Sequence, residues 1–157
     1  MGLLIVDKLD IIDCLEKNGH VNMQIPDEKY VLPTHQSIQD FGARYGNFLF
    51  NSGLDKWLGD IWDCDDFSFT AKALADIDNA VWKYKTGNKD SSLAFGMCFI
   101  QTKEGGHAIS MAILQEEDGK LGVHYYEPQF QTTEEGINVC MLEKSRDSFL
   151  SPVFCYL

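Results

Sequence analysis

Residues 60–75 read DIWDCDDFSFTAKALA, with Cys64 set among Asp63, Asp65 and Asp66. From Asp63 onward, Phe67, Ala71, Leu74, Ala75, Asp78, Val81 and Trp82 fall mainly on one stripe, which predicts a helix running to about Tyr84. Asp63 is the natural N-cap, and Asp66, three positions later, makes a capping box with Asp in place of Glu. Cys64 then lies in the first turn, at the positive end of the helix dipole, where a thiolate is stabilised. The carboxylates beside it act the other way and oppose ionisation. Taken alone, the segment reads equally as plain acidic capping around an incidental cysteine.

Working outward from this helix, residues 3–18 place Leu4, Leu9, Ile12 and Leu15 at helical spacing and stop at Asn18-Gly19. Residues 20–34, with two prolines, read as irregular structure or short strands. Helical periodicity returns from Thr34 through Ile38, Phe41, Tyr45, Phe48 and Leu49, interrupted by Gly42 and Gly46. The second half changes character. LAFGMCFIQT, GHAISMAILQEE, LGVHYYEPQ and SPVFCYL are rich in β-branched, aromatic and alternating apolar residues and predict strands. Asp118-Gly119 supplies the positive φ values of a hairpin turn between the second and third. Helices followed by a mainly antiparallel sheet give the class α+β. The expected organisation is a single domain over 1–157, helical over about 1–85 and sheet over about 93–157.

A cysteine nucleophile requires an imidazole to take its proton and a third group to orient that imidazole. Of the four histidines, His107 opens the strand GHAISMAIL and shares a face with Ile109, Met111 and Ile113. Folding about the EDG turn brings it opposite roughly Gln129 or Phe130, with Glu127 close by. His124 lies mid-strand, and His20 and His35 stand in loop or helix-start contexts without a carboxylate at a meaningful spacing.

The chain of 157 residues is 45% apolar and carries a formal net charge of -11. That charge leaves no footprint for a phosphate backbone or an anionic lipid surface, so neither nucleic acid nor membrane is an expected partner. The start MGLLIVDKLDII is too short in its apolar part for a signal peptide, and no run approaches a membrane span, which points to a cytoplasmic or otherwise soluble protein. The five cysteines are scattered and never spaced CxxC, against a zinc framework or disulfide scaffold. Cys98 and Cys155 read as small buried hydrophobes.

Three short motifs in order, WDCDDFSFTAKALA, GGHAIS and YEPQ, resemble the C-terminal calcium-dependent peptidase domain of the fungal agglutinins that join it to a β-trefoil lectin. The likeness spans about residues 57–130. The order of helix-borne cysteine, strand-borne histidine and following acid is that of papain-like and transglutaminase-like folds. The resemblance implies a catalytic triad of Cys64, His107 and Glu127, and calcium (Ca2+) held at Asp65 and Asp66. A divalent ion there would reverse the local field that opposes the thiolate. The alternative, two aspartates facing solvent at a helix start, stays open. The residues before Cys64 are too few for a β-trefoil, so sugar targeting is not carried over. No glutamine stands shortly before Cys64 as an oxyanion donor; Gln36, Gln39 and Gln129 are alternatives, and the Cys64 amide can supply one hydrogen bond.

The expected function is therefore a cysteine hydrolase, a thiol peptidase acting on a peptide or protein substrate. Two alternatives accompany it: an acyl transferase of transglutaminase or deamidase type, and a non-catalytic binding module on the same fold.

Overall fold

The computed structural model describes residues 4–59, 62–87, 90–132, 134 and 138–157. Its centre is the run of strands foreseen in the second half: β5 (Phe95–Gln101), β6 (Gly106–Gln115), β7 (Leu121–Glu127) and β11 (Ser151–Tyr156). With β2 (Met23–Gln24) and β10 (Leu142–Lys144) they form one six-stranded sheet in the order β10-β7-β6-β5-β11-β2. Every pairing is antiparallel except that of β11 with β2. The β6–β7 hairpin turns at Asp118-Gly119, where Gly119 takes the left-handed φ of 83° expected of it. Two small sheets stand apart: β1 (Ile5–Asp7), β3 (Lys29–Val31) and β4 (Ser92–Leu93) in the order β1-β3-β4, and the pair β8 (Gln131–Thr132) with β9 (Asn138–Val139).

Three α-helices cover the main sheet: α1 (Lys8–Lys17), α2 (His35–Ser52) and α3 (Cys64–Thr86). The alternation of β6 divides the core. Ile109, Met111 and Ile113 pack with Ile11 and Leu15 of α1, whereas Ala112 and Leu114 pack with Phe41 and Leu49 of α2 and Phe67 and Ala71 of α3. With both faces covered, β6 is buried from Ala108 to Leu114, which is why its sequence is nearly continuously apolar. Each large side chain buried here contributes roughly 2 kcal/mol. The class is α+β with antiparallel-rich sheets, as the sequence indicates.

The N-terminal segment differs from the reading of one helix over residues 3–18. Ile5–Asp7 is a strand paired with β3 in the register Ile5↔Val31, and the helix begins only at Lys8. The buried helical face is Ile11, Cys14 and Leu15, and Leu9 is 76% exposed. The β-branched pair Ile5-Val6 suits a strand better than a helix, because its χ1 rotamers crowd the preceding helical turn. Strands thus occur on both sides of α1, as well as in the second half.

The glycines within α2 have a packing reason. A Cβ at Gly42 would stand 2.8 Å from the Cys140 carbonyl oxygen, so the segment leading into β10 lies directly on the helix backbone. Among the described residues, no helix is long and apolar enough to cross a membrane.

Candidate functional site

Helix α3 starts as its sequence dictates. Asp63, in extended conformation, accepts from the Asp65 amide at 3.3 Å, and Asp66 Oδ2 accepts from the Asp63 amide at 3.1 Å, completing a capping box. Asp66 is thereby occupied with the helix start. The carboxylate that Asp65 faces is Asp63: their oxygens and Cys64 Sγ lie within 4.8 Å of one another. The hydrogen bond with Asp63, then burial and the Asp63 charge, hold the Asp65 carboxyl above the ordinary aspartate value. Two carboxylates in that relationship hold a proton between them or a cation, so the donor set suits a hard divalent ion.

The strands bring the other sequence-derived residues to the same place. His107 Nε2 lies 2.9 Å from Glu127 Oε2, and the Gln129 amide donates to Glu127 Oε1 at 3.3 Å. Glu127 is 5% exposed, so both its oxygens are satisfied by protein and the carboxylate has a fixed orientation. The Ala108 amide, next to His107, donates to Cys64 Sγ at 3.4 Å. Cys64, His107, Glu127 and Gln129 therefore converge, with Gln129 acting through its backbone.

The thiol itself is not activated in this arrangement. No hydrogen bond joins Cys64 to His107 among the described residues. Burial, followed by the charges of Asp63 and Asp65, pushes the Cys64 thiol above its ordinary value against the opposing pull of the Ala108 amide. A protonated thiol beside an oriented imidazole offers hydrogen bonds to a ligand and a latent nucleophile.

A cavity, which the sequence did not single out, opens between α2 and the β9–β10 segment. It measures about 880 Å³ and is lined by His35, Gln39, Asn47, Phe50, Tyr126 and Phe130, among others. Phe50 is 68% exposed at its edge. Tyr126 is 3% exposed, yet its hydroxyl has no hydrogen-bond partner among the described residues. Beside this cavity, His124 bridges Glu143 and Glu116, and its ring stands edge-on to His35. The partners come from a strand absent from the sequence reading and from the hairpin turn, so no local spacing announced them.

No family model matches the chain, and no curated protein matches it. Solved structures do. One described as the PSL1a–E64 complex superposes with a TM-score of 0.68 at 19% identity, over 98% of this chain and 51% of that one. A second, Polyporus squamosus lectin bound to the human-type influenza-binding epitope Neu5Aca2-6Galb1-4GlcNAc, gives 0.68 at 18% identity over 98% and 50%. The chain thus spans about half the length of the solved chains it matches, and at this identity what is shared is the fold.

These matches correct the resemblance drawn from the motifs. One of these two chains that share the fold is named as a lectin, and neither is named as a peptidase. Assignment to a calcium-dependent peptidase domain, the thiol-peptidase activity and the peptide or protein substrate are therefore not carried forward. The hydrolase and catalytic-triad labels fall with them, while the positions of Cys64, His107 and Glu127 stand as geometry.

Proposed function

We propose that this chain is a non-catalytic binding module whose ligand, a glycan, lies in the cavity between α2 and β10. The observation that carries this reading is the Tyr126 hydroxyl, buried at the cavity wall without a protein partner, since a buried hydroxyl left unpaired costs about 1–3 kcal/mol that a ligand hydroxyl would offset. The amides of Gln39 and Asn47 offer paired donors and acceptors of the kind vicinal sugar hydroxyls take, and Phe50 offers an exposed ring face. The lectin named among the structural neighbours supports a saccharide ligand.

Charge refines the ligand class. A chain of net charge -11, whose cavity wall sets Asp55 and Glu143 against the single cation Lys56, disfavours a carboxylate-bearing sugar, so neutral glycans are the proposed ligands. A glycan array probed with the labelled chain tests this directly. Binding to neutral saccharides, weakened at least tenfold by Phe50→Ala and by Tyr126→Phe, is expected. Array binding unaffected by both substitutions, or no binding to any glycan, overturns the reading.

A second reading concerns the surroundings of Cys64. One neighbour is described as a complex with E64, and here an oriented His107–Glu127 pair flanks a half-buried thiol. We propose these surroundings as a site for a small ligand that contacts the thiol, with E64 as the probe. Thermal stabilisation by E64 that disappears in Cys64→Ser is the expected result; equal stabilisation of both proteins removes Cys64 from the site. The order Cys64 on α3, His107 on β6 and Glu127 at the end of β7 supports a papain-like or transglutaminase-like chain trace as the finer fold reading, within a single domain in a soluble compartment. Calcium at Asp65, joined by Asp63 with Asp66 left to cap, belongs to the same proposal.

A further inference from the structure

His124 has a carboxylate on each ring nitrogen. Nε2 lies 2.8 Å from Glu116 Oε1 and Nδ1 lies 2.6 Å from Glu143 Oε1. An imidazole that donates Nε2–H to Glu116 presents at Nδ1 either a second proton or a lone pair. A lone pair 2.6 Å from a carboxylate oxygen is repulsive unless something positive lies between them. His35, at the start of α2, brings a third donor: its Nδ1 is 3.9 Å from Glu143 Oε2, and donor atoms of His35, His124 and Glu143 all lie within 4.8 Å of one another.

We propose that His35, His124 and Glu143 bind a zinc-class divalent cation, with Glu116 orienting His124 from behind. Two imidazole nitrogens and one carboxylate are a borderline donor set that favours zinc over calcium or magnesium. At metal–ligand distances of about 2.0–2.2 Å, the donors of a tetrahedral site stand about 3.3 Å apart. The separations here lie on either side of that value, and the outer two ligands, with 53% and 47% of their side-chain surface exposed, have room to turn toward it. The inner ligand is the fixed one, with 14% of its side chain exposed.

The sheet builds the site. Glu143 on β10 is the cross-strand partner of Tyr126, and His124 lies two residues away on the same face of β7, which makes the two ligands diagonal neighbours. Glu116 follows β6 and folds back across Gly122: a Cβ there would stand 1.9 Å from Glu116 Oε1. Glycine at 122 therefore leaves the room in which that carboxylate overlies the strand. A carboxylate on the far nitrogen of a metal-binding histidine fixes its tautomer and raises its basicity. Three protein donors leave a fourth coordination position, and two of the donors, His35 and Glu143, line the 880 Å³ cavity.

Zinc titration by competition with a chromophoric chelator tests the site, using the full chain with Cys64→Ser so that the thiol contributes nothing. One zinc per chain is expected, and cobalt in its place should give visible absorption of a four-coordinate N/O site. His35→Ala and Glu143→Gln should each weaken zinc at least tenfold. Glu116→Gln and Gly122→Ala, which remove no ligand, should weaken it by about 10- to 100-fold, the usual effect of losing such a supporting partner. Circular dichroism identifies any variant that fails to fold, and His35→Ala changes only a half-exposed residue. A stoichiometry below one, or zinc affinity unchanged in His35→Ala and Glu143→Gln, overturns the proposal.

Discussion

The Tyr45 hydroxyl donates a 2.8 Å hydrogen bond to the carbonyl of Phe67, tying the middle of α2 to the first turn of α3. Tyr45 is 1% exposed, so this bond forms where water cannot replace it. It is the polar tether that holds the start of the Cys64-bearing helix against its neighbour, alongside the packing of Phe67 and Ala71.

Replacing Tyr45 by Phe keeps the ring packing and removes the bond. A loss of about 1 kcal/mol is expected, read as a melting-temperature decrease of roughly 2–4 °C for a domain of this size. Faster amide exchange should appear at 64–68 before it appears in β6. No change in either quantity would mean that the hydrophobic contacts alone position α3.

Cys64 should react slowly with iodoacetamide at neutral pH. Burial and two neighbouring aspartates hold its thiol above the ordinary value, against the backbone amides of Ala108 and of Cys64 itself, which pull the other way. With the net shift upward, the pH profile of alkylation should be centred above that of a free cysteine, and Asp65→Asn should move it down. A midpoint below the free-thiol value would show a stronger cationic influence than the structure contains.

His20 gives the fold an acid-side liability. Burial, and then the charge of Arg146, lowers its pKa to about 4 from 6.5, and its Nε2 pairs with the Tyr125 hydroxyl at 2.8 Å. The unfolded chain accepts a proton on this histidine below pH 6.5, whereas the folded chain does not until about pH 4. The neutral histidine's contribution is thus fully present above pH 6.5 and lost as pH falls toward 4, with a total on the order of 3 kcal/mol. Urea unfolding of wild type and His20→Gln across this window should show the difference narrowing as pH falls. Parallel curves would place the acid sensitivity elsewhere.

Calcium binding at Asp63 and Asp65 predicts a melting temperature that rises with calcium concentration, by mass action on the folded state. Asp65→Asn should abolish the rise, while Asp66→Asn, acting on the capping box, should lower stability and leave the calcium response in place. Flat melting curves from micromolar to millimolar calcium would return the aspartates to helix capping.

The sequence carried the α3 boundary because capping chemistry is local: Asp63 and Asp66 announce a helix start regardless of what surrounds it. The same holds for the β6–β7 hairpin, whose Asp118-Gly119 turn and alternating flanks fix the register that brings His107 near Glu127. What escaped the sequence is non-local. Ile5-Val6 became a strand because Tyr30-Val31 was available to pair with it, and Gly42 was tolerated in α2 because the Cys140 backbone needed the room. The His124 cluster depends on Glu143, carried by a three-residue strand too short to show alternation.

The position of β11 between β5 and β2 sets an order of assembly. Met23 and Gln24 join the main sheet only through their partners Cys155 and Tyr156, so they wait for residues 151–156. Until then the outer side of β5, with its row of Met97, Cys98 and Phe99, is an unpaired sheet edge open to another nascent chain. Sheets closed by such distant pairings form slowly, and the interval before β11 docks is when this protein is most exposed to aggregation during its synthesis.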